Sequence, residues 1–124
     1  MAHKILIIDD EADIREVAAL SLETMAGWEV MVASSGAQGL ARAASYQPDA
    51  VLLDVMMPGM DGPTTFKELR KNPTTSHIPV LLLTAKVQAS DQHLFASLDV
   101  AAVLVKPFDP LTLASQISTV LGWK

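Results

Sequence analysis

Four short apolar runs in this chain each end in a residue able to handle charge. Lys4-Ile5-Leu6-Ile7-Ile8 leads into Asp9-Asp10, Val51-Leu52-Leu53 into Asp54, Val80-Leu81-Leu82-Leu83 into Thr84, and the run 100–105 into Lys106. A carboxylate inside an apolar run is costly unless it meets water or a cation, so each acid is expected at the end of its run. If the four ends meet, the carboxylates repel one another. A pair about 4 Å apart at an effective dielectric near 20 costs roughly 4 kcal/mol. Lys106 supplies one positive charge, and a divalent ion would supply more. The set holds oxygen donors with no Cys or His, which suits Mg2+ or Mn2+. Mg2+ keeps several waters and shares its shell with phosphate oxygens. A carboxylate nucleophile, a hard metal, a lysine and a hydroxyl donor together fit in-line phosphoryl transfer.

The elements between these residues must bring them together. Residues 4–8 and 50–54 read as strands buried on both faces, as in a parallel sheet. Pro79 to Leu83 reads as another buried strand and Val100 to Val105 as a fifth strand, while Trp28 to Ala33 is weaker and nearer an edge because Glu29 interrupts it. Between them, Ile14, Val17, Ala18, Ser21, Leu22 and Met25 follow helical spacing over residues 11–25, and Gly27 stops that helix. Ala37 to Tyr46 is a second helix, ended by Pro48, and a third contains Phe66 and Leu69. Ala85 to about Leu98 holds a fourth. Asp109-Pro110 opens the last, with Pro110 at its first position and Leu113, Ile117, Val120 and Leu121 as its buried stripe. Five strands alternating with five helices imply a doubly wound parallel sheet with right-handed crossovers. Parallel strands share a direction, so the four polar ends converge on one edge, where open α/β sheets bind ligands.

Taken singly, each residue has a plainer use. Asp9 or Asp10 suits the cap of the following helix, with Glu11 and Asp13 in its first turn. Asp54 suits a turn before Pro58-Gly59, Thr84 a local backbone bond, and Lys106 a solvated surface position. His3, His77 and His93 show no ligand spacing and read as surface residues, and Met56, Met57 and Met60 read as loop packing.

Composition bounds the remaining possibilities. A chain of 124 residues, half of them hydrophobic, makes one domain over residues 1–124 with a core of its own. No apolar run approaches 18 residues, so no membrane span or membrane partner is expected, and the N-terminus shows no signal-peptide pattern. The absence of cysteine excludes disulfides and favours the cytoplasm. A net charge of −5 argues against direct nucleic acid binding by this chain.

Four segments in order carry a family resemblance: Ile7-Ile8-Asp9-Asp10-Glu11, Leu53-Asp54-Val55-Met56-Met57-Pro58-Gly59-Met60-Asp61-Gly62, Leu83-Thr84-Ala85-Lys86 and Lys106-Pro107-Phe108. Over essentially its full length the chain resembles the receiver domain of two-component response regulators. The resemblance implies a flavodoxin-like (βα)5 fold with strand order 2-1-3-4-5. It implies that Asp54 accepts a phosphoryl group from a phosphohistidine of a sensor kinase or phosphotransfer protein. Asp10 and Asp54 would ligate Mg2+ with the backbone carbonyl of Met56, and Asp9 would act through a metal-bound water. Lys106 would pair with the carboxylate or phosphoryl oxygen, Thr84 would donate its hydroxyl to the phosphoryl group, and the Lys106–Pro107 peptide would be cis. The output, a separate protein or a fused domain, would be contacted through the fourth helix, fifth strand and fifth helix. Such a chain is not an enzyme towards external substrates, its chemistry being limited to its own phosphorylation and dephosphorylation.

Other classes fit less well. An aspartate-nucleophile phosphatase of the common type needs an acid two residues after the nucleophile, where Met56 stands, and a flavodoxin-like cofactor binder needs a Ser/Thr/Gly-rich loop after the first strand. A phosphorylation-independent interaction module is the remaining alternative. Two departures from the family pattern are visible: Val103 replaces a common Tyr or Phe three residues before the lysine, and Asp99 replaces a common glycine. Valine has one stiff torsion and cannot act as a rotating ring, so the response is expected to rest on the 85–91 loop.

Overall fold

The computed structural model describes residues 2–85 and 95–123. Its five strands are β1 (Lys4–Ile8), β2 (Glu29–Ala33), β3 (Ala50–Asp54), β4 (Val80–Thr84) and β5 (Ala102–Val105), all parallel, in the order β2-β1-β3-β4-β5. Among the described residues lie the helices α1 (Ala12–Ala26), α2 (Gly36–Tyr46), α3 (Gly62–Lys71) and a C-terminal helix, Leu113–Leu121. This is the doubly wound flavodoxin-like arrangement.

Side chains alternate across each strand and so split between two layers. Leu6, Ile8, Val51, Leu53 and Leu82 pack against Ala43, Phe66 and Leu69 from α2 and α3. Ile5, Ile7, Leu52, Leu81 and Leu83 pack on the other face against Ala18 and Leu22 of α1 and Leu113 and Ile117 of the C-terminal helix. β1 lies between β2 and β3 and buries Ile5 to Ile8 almost completely, which explains its unbroken apolar run. β2 lies at an edge, as its interrupting Glu29 predicts, and that carboxylate accepts a hydrogen bond from the Tyr46 hydroxyl at 2.7 Å.

Several boundaries differ from expectation. Trp28 precedes β2, α2 starts at Gly36, β4 runs from Val80 through Thr84, and β5 starts at Ala102. The last helix begins at Leu113 instead of Asp109. The Asp109 side chain accepts from Leu111 N and its carbonyl accepts from Thr112 N and Leu113 N, so residues 109–112 close a turn that holds Pro110 outside the helix. Ala114 replaces Val120 in the buried stripe. On α1, Val17 and Met25 are exposed beside Leu20, and only Ala18, Ser21 and Leu22 are buried, because Pro110 and the C-terminal helix cover a narrow band of its surface. The predicted helix 85–98 falls mostly on residues 86–94, outside those described. No described helix is long and apolar enough to cross a membrane.

Candidate functional site

Sheet register fixes the site. Ile8 pairs with Leu53, Asp54 with Leu83, and Thr84 with Val105, so Asp9, Asp54, Thr84 and Lys106 stand at the carboxyl ends of four neighbouring positions in the sheet. Backbone bonds at these ends align the segments further: Asp9 N donates to Ala33 O at 3.1 Å, Val55 N to Leu83 O at 3.2 Å, and Lys106 N to Thr84 O at 2.9 Å. The convergence expected from the parallel pattern is therefore present.

Asp9 and Asp54 are 1% and 2% exposed, and Thr84 is fully buried. Asp9 Oδ1 accepts from Glu11 N at 2.9 Å, and the Arg15 guanidinium donates to the Asp9 carbonyl at 2.7 Å. Glu11 is the N-cap residue of α1 and makes no side-chain capping bond, so neither Asp9 nor Asp10 serves as that cap. Lys106 Nζ lies 3.0 Å from Asp9 Oδ2, donates to Asp54 Oδ1 at 3.1 Å, and reaches Glu11 Oε1 at 3.5 Å. Its Asp9 contact is an ion pair off the hydrogen-bond direction. The solvated-lysine reading of Lys106 is excluded by these partners and by its 12% side-chain exposure. Asp54 Oδ1 also receives a long 3.4 Å bond from Met56 N, while buried Asp54 Oδ2 has no hydrogen-bond partner among the described residues.

Asp9, Asp10, Glu11 and Asp54 each offer a carboxylate oxygen within 4.8 Å of the others. Glu11 is the member that sequence reasoning assigned only to the helix's first turn; its position directly after Asp9-Asp10 was the signal that could have found it. Burial pushes the Asp54 carboxyl up to about 6, aided by the Asp9 charge and opposed by Lys106. Burial alone would lower the Lys106 ammonium, but the Asp9 and Asp54 carboxylates outweigh it and hold it above its ordinary value. Four clustered carboxylates, three of them sharing one ammonium, with one buried oxygen unpartnered, fit a hard divalent cation bound through oxygen.

Met57 is buried, whereas Met56 is 56% exposed, so packing accounts for only one of these two methionines. The Lys106–Pro107 peptide is cis, as the resemblance implied. Val103 is part of β5, opposite Leu82, and packs against the α2/α3 side of the core. The loop expected to carry the response, 85–91, falls outside the described residues beyond Ala85, as does His93. His3 is not a plain surface residue: its ring stacks on Trp123 at 3.8 Å and meets Trp28 edge-on at 5.8 Å.

The profile of the response regulator receiver domain matches residues 5–118. Among curated proteins, the chain is 40% identical over 125 residues to "Response regulator PleD" of Caulobacter vibrioides, covering all of this chain and 27% of that protein. It is 39% identical over 118 residues to "DNA-binding dual master transcriptional regulator RpaA" of Synechocystis, covering 95% of this chain and 48% of that protein. The chain thus spans about a quarter to a half of the length of these relatives. Among solved structures, the chemotaxis protein CheY4 of Vibrio cholerae superposes with a TM-score of 0.89 at 32% identity, covering 97% of this chain and 99% of that one. A putative response regulator from Chloroflexus aurantiacus gives 0.88 at 35% identity, covering 98% and 99%. With its fold, its acidic edge and its sequence in agreement, the chain belongs to the response regulator receiver domain family.

Proposed function

We propose that this chain is a phosphoacceptor of a two-component relay, with Asp54 as the residue that carries the phosphoryl group. The observation that supports it best is the environment of Asp54: a buried carboxylate with one oxygen held by Lys106 and the other without a partner among the described residues. The second oxygen is the nucleophile. It attacks the phosphorus of a phosphohistidine, the P–N bond breaks, the imidazole leaves with its electron pair, and an acyl phosphate forms on Asp54. Asp54 must be ionised to attack, and its elevated position near 6 leaves it largely ionised at neutral pH.

Asp9, Asp10 and Asp54, with the backbone carbonyl of Met56, are the residues that would hold Mg2+, Mn2+ being the alternative. The cation would neutralise charge developing on the phosphoryl oxygens. Lys106, already shared among Asp9, Glu11 and Asp54, follows the charge onto a phosphoryl oxygen, and the Thr84 hydroxyl donates to another. Recruiting these two groups to one new dianion is the switch. Reversing a 1:99 population ratio takes about 5.5 kcal/mol of differential interaction, and two new charge-assisted contacts are of that order.

The donor is a sensor histidine kinase or histidine phosphotransfer protein, and the recipient of the signal is an output protein or fused output domain reached through the fourth helix read from the sequence within 85–98, β5 and the C-terminal helix. An acidic chain of net charge −5 contacts proteins here and leaves DNA binding to that output. The catalysis is self-directed, with no external substrate turned over, and the setting is the cytoplasm. Intact mass after incubation with acetyl phosphate and Mg2+ tests the reading. One phosphoryl group is expected on the parent, none without Mg2+ and none on Asp54→Ala. A folded parent that gains nothing, from acetyl phosphate or from a phosphohistidine protein, refutes it.

A further inference from the structure

The loop between β3 and α3 closes back on the residue it leaves. Gly62 N donates to Val55 O at 2.9 Å, and a methyl group at position 62 would stand 2.5 Å from the Asp54 carbonyl oxygen and 2.7 Å from Val55 Cα. Carbon atoms rest at about 3.5–4.0 Å, so a side chain of any size would push these backbones roughly 1 Å apart. The obstacle is main chain on both sides, with no flexible side-chain end to give way. The far side of the loop is anchored as well. Met57 and Val55 are buried in the α2/α3 layer, and Asp61 caps α3 by accepting from Thr64 N at 2.9 Å.

We infer that Gly62 is a positioning residue for the acceptor: its missing side chain lets the first turn of α3 seat directly on the Asp54–Val55 backbone and so sets the Asp54 carboxylate against its partners. The inference rests on the phosphoacceptor reading. Displacement at position 62 reaches Asp54 through its own carbonyl and reaches the Met56 N–H that touches Asp54 Oδ1. A misplacement of about 1 Å is enough to cost up to 100-fold in a transfer that depends on alignment. Residues that orient metal ligands without touching the metal cost 10–100-fold in affinity when changed.

The test is a Mg2+ titration of the full chain followed by amide NMR, for the parent, Gly62→Ala and Gly122→Ala. Gly122 ends the C-terminal helix at φ 70°, and a methyl group there would have nothing within 4 Å, so its variant reports backbone strain alone. Gly62→Ala is expected to raise the half-saturating Mg2+ concentration at least tenfold, with acetyl phosphate labelling recovering as Mg2+ is increased. Gly122→Ala is expected to lower Tm and leave the Mg2+ requirement unchanged. A folded Gly62→Ala within twofold of the parent overturns the inference while leaving the phosphoacceptor reading intact. A parent that neither binds Mg2+ nor accepts a phosphoryl group overturns both. If Gly62→Ala does not fold, hydrogen exchange in the metal-free parent decides: a protected Gly62 amide supports the seat, and exchange as fast as an open loop removes it.

Discussion

Replacing Asp54 with Asn should stabilise this protein at neutral and alkaline pH when no metal is present. Asn keeps the shape of the side chain and removes the charge that burial and the Asp9 carboxylate disfavour. Displacing the carboxyl from 3.8 in the unfolded chain to about 6 in the fold amounts to about 3 kcal/mol of penalty on the folded anion. The sign follows from where the proton sits. Below 3.8 both states hold it and no penalty exists; the stability is lost as pH rises, fully so once pH passes about 6. Urea unfolding followed by circular dichroism, in EDTA, should therefore show Asp54→Asn more stable than the parent by about 3 kcal/mol at pH 8 and by less than about 1 kcal/mol at pH 4. Mg2+ should narrow the pH 8 gap by stabilising the parent, by about 1.4 kcal/mol at ten times its dissociation constant, more than a variant that has lost one of the metal-holding carboxylates. An Asp54→Asn protein no more stable than the parent at pH 8, or a gap that widens towards pH 4, would refute the reasoning.

Lys106→Met removes the ammonium that Asp9, Glu11 and Asp54 share, and should cost roughly 3 kcal/mol of metal-free stability at pH 8 but less at pH 5, where the Asp54 carboxyl, pushed up to about 6, takes up a proton instead. Equal losses at the two pH values, read from urea midpoints, would count against that ion cluster. Thr75→Val deletes a buried hydroxyl that donates to Leu69 O at 2.7 Å and ties the loop after α3 to its last turn. It should cost about 1–2 kcal/mol, seen as a lower urea midpoint with an unchanged slope, and leave acetyl phosphate labelling at the parent rate.

The site was legible because each of its members stands where an apolar run stops. Asp54 follows Val51-Leu52-Leu53 without a break, and an acid there has to meet a cation or water. Parallel strands then bring the four ends to one edge with no further information. Glu11 was harder to place because a first-turn acid is already explained by the helix dipole, and only the three-dimensional position of Lys106 gives it a second partner. Gly62 was harder still: a glycine after Asp61 reads as a loop breaker, and its contact with the Asp54 carbonyl exists only once α3 is docked. The start of the last helix was misplaced for a similar reason. Pro110 suits a first helical position, but the Asp109 side chain and carbonyl bond the next backbone amides into a separate turn. Val17 and Met25 kept helical spacing yet face solvent, because periodicity shows which side of a helix is apolar and not how much of that side a neighbour covers.

The stack of His3, Trp28 and Trp123 joins the segment before β1, the segment before β2 and the segment after the C-terminal helix, all at the amino ends of the strands. The carboxylates lie at the other ends, a strand length of roughly 17–20 Å away. Both indoles of the chain thus occupy one spot remote from the chemistry. Their emission is a natural gauge of transmission: chemistry confined to Asp54 leaves it untouched, and any change on phosphorylation has crossed the sheet from one rim to the other.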